Sequence, residues 1–142
     1  MLLGLMTVAA LSLPSLSADP IGDPPPGSQH MDLQEIPPPL DGCPPATATV
    51  TSLQHRSDGA HLMVVNLTSA PVQDFLILDL TVKGTRRVFW TSVALDPGAY
   101  GKYMIKYLGP IQAPGVGLCA NKPGGIVDSQ GPVAEVYQLP VE

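Results

Sequence analysis

The chain has 142 residues, a formal net charge of −5, 17 prolines, 14 glycines and only 13% charged residues. That length allows one domain with a hydrophobic core of ordinary size. The proline and glycine content argues against a helical bundle, and the acidic balance disfavours nucleic-acid binding, so no nucleic-acid partner is expected.

The first stretch, MLLGLMTVAALSLPSLSA, is an apolar run ending in small residues, the pattern of a secretory signal over residues 1–18. No Lys or Arg precedes it, so the signal is atypical or the start lies earlier. The run is too short and too broken by Pro14 and serines to span a bilayer, and no transmembrane span is expected in the mature chain. Secretion or residence in the cell envelope is the expected location.

Residues 19–42 read as a Pro-rich leader, untethered to about residue 38, with an edge strand laid along the domain as the alternative. Leu40-Asp41-Gly42-Cys43 resembles a lipoprotein box, but Ile36-Pro37-Pro38-Pro39 supplies no apolar run before it, and Asp41 stands where a small residue belongs. Cys43 and Cys119 are the two cysteines, and in an exported chain they most simply form one disulfide. The loop so closed contributes about 4 kcal/mol in the chain-entropy model. Residues 43–142 are then the folded domain.

ATATVTSLQHR and AHLMVVNLT flank Asp58-Gly59, a strong hairpin signal. A two-residue loop there pairs Leu53 with Val64 and Arg56 with His61. VQDFLILDLTV follows as a well-buried strand. RRVFWTSV and YGKYMIKYL then read as a hairpin across Leu95–Gly98, pairing Trp90 with Tyr103, Val88 with Ile105 and Arg87 with Lys106. Val88, Trp90, Tyr103, Ile105 and Tyr107 fall inward in that register. After a Gly/Pro-rich passage, VAEVYQLPV suggests a last strand. Six or seven short strands predict an all-β antiparallel sandwich.

Asn66-Leu67-Thr68-Ser69-Ala70-Pro71-Val72, a strand, and then Leu95-Asp96-Pro97-Gly98 resemble the layout of small bacterial immunoglobulin-like (fibronectin III-like) modules. That resemblance implies an immunoglobulin-like sandwich. In fibronectin III modules a tyrosine stands six places after the Leu; here Gly101 holds that place, between Tyr100 and Tyr103. The leader resembles those of small exported proteins of mycobacteria and their actinobacterial relatives.

No G-x-S-x-G elbow, phosphate-binding glycine loop, H-E-x-x-H or C-x-x-C occurs, and neither catalysis nor a cofactor is expected. His55, Asp58 and His61 could supply three metal ligands. Across a two-residue loop, however, His55 and His61 point to opposite faces, and a solvated hairpin tip is the simpler reading. Arg87, Phe89, Thr91, Lys102, Met104 and Lys106 form the outward face of the hairpin across Leu95–Gly98. With Lys83 and Arg86 nearby, the expected partner-binding residues Arg86, Arg87, Phe89, Lys102, Met104 and Lys106 set basic groups around two apolar ones. Such a face suits an acidic protein, an anionic glycan or a lipid headgroup. The competing reading is a solvated face whose long side chains cover Phe89. Asn66-Leu67-Thr68 also matches the N-glycosylation pattern. The expected function is a non-catalytic binding or structural module, with a small metal-binding protein or metalloenzyme using the hairpin tip as the alternative.

Overall fold

A computed structural model describes residues 20–38, 43–125, 127 and 130–141. The expected signal segment and Leu40-Asp41-Gly42 lie outside the described residues. Every regular element described is a strand. They are β1 (Gln29–Met31), β2 (Gln34–Ile36), β3 (Thr49–Arg56), β4 (Gly59–Val65), β5 (Val72–Val82), β6 (Thr85–Leu95), β7 (Tyr100–Tyr107), β8 (Gly115–Cys119) and β9 (Ala134–Leu139). Two antiparallel sheets form, in orders β1-β9-β7-β4-β3 and β2-β6-β5-β8. The all-β sandwich expected from the sequence is the fold.

Its core lies between the sheets. Ala60, Leu62 and Val64 of β4 and Tyr103, Ile105 and Tyr107 of β7 meet Leu76, Leu78 and Leu80 of β5 and Phe89, Val93 and Leu95 of β6. Each set follows the two-residue period of a strand with one face buried, with the buried Thr91 filling the step between Phe89 and Val93. A second cluster (Ile36, Ile77, Val88 and Cys119, with Phe75 and Trp90) occupies the outer face of the smaller sheet. Strands β5 and β6 are therefore apolar on both faces.

That double burial explains the main correction. Strands β6 and β7 do not pair. β6 pairs with β5 along eleven residues, Val72↔Leu95 to Val82↔Thr85, through a Lys83-Gly84 turn. β7 pairs with β4 and β9 in the other sheet. Leu95–Gly98 is thus a crossing between sheets, and the pairs Trp90–Tyr103, Val88–Ile105 and Arg87–Lys106 do not exist. Tyr103, Ile105 and Tyr107 face the core as expected, whereas on β6 the core face is that of Phe89.

The crossing is fastened by Asn66, whose side chain is fully buried. Its Nδ2 donates to the carbonyls of Ala70 (2.8 Å), Leu95 (3.1 Å) and Asp96 (3.1 Å), and its Oδ1 accepts from Thr68 N (2.9 Å) and Thr68 Oγ1 (2.6 Å). Gly98 N donates to Asn66 O, and Asn66 N to Ala99 O, both at 2.8 Å. The glycosylation pattern at Asn66 is therefore a structural fastener with its amide occupied. At Gly101 a Cβ would lie 2.7 Å from the Tyr103 hydroxyl, so the Tyr103 ring requires glycine there.

The first hairpin forms with its loop one residue earlier than expected, at Ser57-Asp58. Arg56 pairs with Gly59 and Leu53 with Leu62, and a bulge lies between Val50 and Ser52. Gly59 serves close approach rather than the turn, since a Cβ there would collide with the Ile105 carbonyl oxygen. Asp58 is engaged elsewhere: both its oxygens accept the Ile21 N–H at 3.0 Å.

Ile21 belongs to the leader, which is not untethered. Asp23 pairs with Lys106 at 2.8 Å, β1 adds an edge to β9, and β2 adds an edge to β6. Cys43 bonds Cys119 as expected, which leaves no sulfur for a lipid anchor. The compositional boundary at residue 43 therefore does not separate leader from domain: residues 20–38 are part of the sandwich.

Candidate functional site

The connection between β1 and β2 carries the chain from one sheet to the other at one side of the sandwich. Beyond β8 the chain returns across the same side. Gly125, with φ at +99°, lies so close to Pro37 that a Cβ would come within 2.9 Å of its ring. Between these two passages lies a cleft of about 950 Å³.

Trp90 forms one wall. It stands on the outer face of β6, half-buried, edge-on to Phe75 with ring centroids 5.6 Å apart. The Lys122 ammonium lies 5.3 Å from the centre of the indole, a cation held over an aromatic face. Elsewhere in the lining, His30 of β1, on the outer face of the larger sheet, meets the Tyr137 ring edge-on at 5.3 Å. Tyr137 donates its hydroxyl to Glu135 Oε1 at 2.8 Å, which raises the phenol above its ordinary pKa. Asp32 is exposed at the mouth, without an ion-pair partner among the described residues.

Behind the cleft, Arg87 and Glu35 form a two-pronged ion pair. Nε donates to Oε2 at 2.8 Å and Nη2 to Oε1 at 2.6 Å, with Nη2 also donating to Gly131 O at 2.9 Å. Their side chains are only 9% and 10% exposed. Hydrogen bonding to Glu35 raises the Arg87 pKa further, and the guanidinium lies 5.3 Å from the centre of the Phe89 ring. The pair ties β2, and with it the leader, to β6. The cleft as a whole offers an aromatic plate with a cation beside it, and carboxylate and imidazole groups elsewhere in its lining. Such a set can seat a neutral or zwitterionic ligand with an apolar face.

The basic face expected on β6 and β7 does not assemble, because those strands lie in different sheets. Phe89 is in the core at 5% exposure, and Met104 is buried. Arg86 is bound by Asp79 at 2.8 Å, Arg87 by Glu35 and Lys106 by Asp23. Lys102 remains half-buried on β7.

His55, Asp58 and His61 are likewise not brought together. His55 pairs with Ala60 and His61 with Gln54, which puts the imidazoles on opposite faces, and the Asp58 carboxylate holds Ile21. Desolvation, and then the Arg56 charge, lower the His61 pKa, although the residue reaches solvent. Among the described residues no group of three His, Cys, Asp or Glu is placed to hold a metal ion.

Trp90, Lys122, His30 and Glu35 escaped the sequence reading. The expected pairing of β6 with β7 puts Trp90 inward, and the other three lie in segments without periodicity. Fold and site together define a disulfide-closed antiparallel β-sandwich with a cleft beside its one tryptophan. No protein-family model, curated protein or solved structure matches the chain.

Proposed function

We propose that this chain is an exported, non-catalytic binding module of the cell envelope or extracellular space, and that it seats its ligand in the cleft beside Trp90. The observation that carries this reading is the half-buried Trp90 with the Lys122 cation above it, at the wall of a cleft large enough for a small ligand. The disulfide suits an oxidising compartment. The kinship to immunoglobulin-like modules belongs to the same proposal, favoured by the way Asn66 and Leu95–Gly98, the motifs behind it, fasten each other.

Because Trp90 is the one tryptophan, its emission reports on the cleft directly. The test titrates the protein with fractionated glycans, lipids and peptides of the cell envelope. One fraction should shift the emission, and Lys122→Glu should weaken its binding. A fraction retained equally by wild type, Lys122→Glu and Trp90→Leu would remove the cleft as the binding seat.

A further inference from the structure

We propose a second binding site, at the β5–β6 turn, that takes a fatty carboxylate: a single acyl chain with an anionic head. A groove of about 400 Å³ opens there, away from Trp90. Val82, Leu108, Ile111 and Val133 line it, and the one charged residue in its wall is Lys83. Val82, Ile111 and Val133 pack against the main core, so the floor of the groove is continuous with the interior. Leu108 is 47% exposed, a large apolar side chain left in water.

The walls are fixed. Gln112 N donates to Thr81 O at 2.8 Å, and Gln112 Oε1 accepts the Gly84 N–H at 2.6 Å. Leu108 N donates to Val133 O at 2.9 Å. The loop that faces the turn is therefore pinned to it at Gln112 and to Val133 at Leu108.

Lys83 itself points to a ligand in two ways. Among the described residues it has no ion-pair partner, a state it shares with Arg56, Lys102 and Lys122, and of these four it is the one that lines the apolar groove. It is also the one described non-glycine residue with positive φ, at 51°, followed by Gly84 at 80°. A turn with both central residues left-handed favours Asn, Asp or Gly at that place. A lysine there strains the backbone, and strain of this kind is retained where the side chain serves a function. An apolar groove with one available ammonium complements an acyl chain that ends in a carboxylate.

The test is calorimetric titration of the full chain with hexanoate, octanoate, decanoate and decanol, each below its micelle concentration. Affinity for the carboxylates should rise about fourfold per added methylene while the chain fits the groove. Lys83→Asn should bind decanoate about fivefold more weakly, leave decanol binding unchanged, and melt at a higher temperature because its turn is relieved. Amide shifts on decanoate binding should concentrate at Val82, Ile111 and Val133. Undetectable decanoate binding, affinity independent of chain length, shifts centred elsewhere, or wild-type decanoate affinity in Lys83→Asn would each overturn the proposal. The Trp90 cleft is read by its own emission and stands or falls separately.

Discussion

Replacing Glu35 with alanine isolates the ion pair that ties β2 to β6. In the native protein Arg87 is 9% exposed, and its charge is met by both oxygens of Glu35 at 2.8 and 2.6 Å and by the Gly131 carbonyl. Removing Glu35 leaves the guanidinium buried with a single neutral acceptor. Breaking a buried pair from one side costs about 3–5 kcal/mol, most of it for the charge left behind. Substituting both partners, Glu35→Leu with Arg87→Met, removes that stranded charge and should recover most of the loss. Urea unfolding followed by Trp90 emission measures it, since Trp90 adjoins Phe89, the β6 partner of Glu35. Asp79→Ala is the control: it breaks the Arg86 pair, whose side chains are 43% and 36% exposed, and should leave the midpoint nearly unmoved. If Glu35→Ala unfolds as close to wild type as Asp79→Ala does, the pair does not fasten β2 to β6 and the reasoning fails.

Three further outcomes are expected. The Tyr107 hydroxyl is buried without a partner, so Tyr107→Phe should raise stability by about 1 kcal/mol in the same urea assay; a loss would show a partner hidden there. Burial pushes the Tyr103 and Tyr107 phenols from 10.0 up to about 12, so the stability they confer is complete below pH 10 and is lost as pH climbs towards 12. Absorbance of phenolate at alkaline pH should therefore rise together with unfolding, and Tyr107→Phe should soften that dependence. Asn66→Ala deprives three carbonyls of their shared donor and should cost on the order of 3 kcal/mol by thermal melting, whereas unchanged stability would show that the crossing is held by backbone alone.

What could be read beforehand depended on whether the signal was local. The two cysteines had one pairing available, and the β3–β4 hairpin carried its turn between two β-prone runs. The β5–β6 hairpin was harder to see: Lys83-Gly84 is a weak turn signal, and a strand apolar on both faces gives no alternation with which to test its register. Leu95–Gly98 then attracted the pairing, although its turn serves to cross between sheets around Asn66. Strands of three residues, β1 and β2, are too short to show any period. The pair Glu35–Arg87 spans 52 positions, and nothing near either residue marks the other. The cleft inherits both difficulties, because it is built from the misassigned Trp90 and from the two short strands.

The pairing of β1 with β9 has a consequence in time. Gln29 lies opposite Gln138, so β1 finds its neighbour only after every other strand of both sheets has been made. Until β9 emerges, β7 lacks one flank and β1 has nothing to pair with. Contacts so distant along the chain form slowly, because a long loop must close before any of them is rewarded. Closure of the larger sheet on its β1 side therefore waits on β9, whatever order the other strands follow.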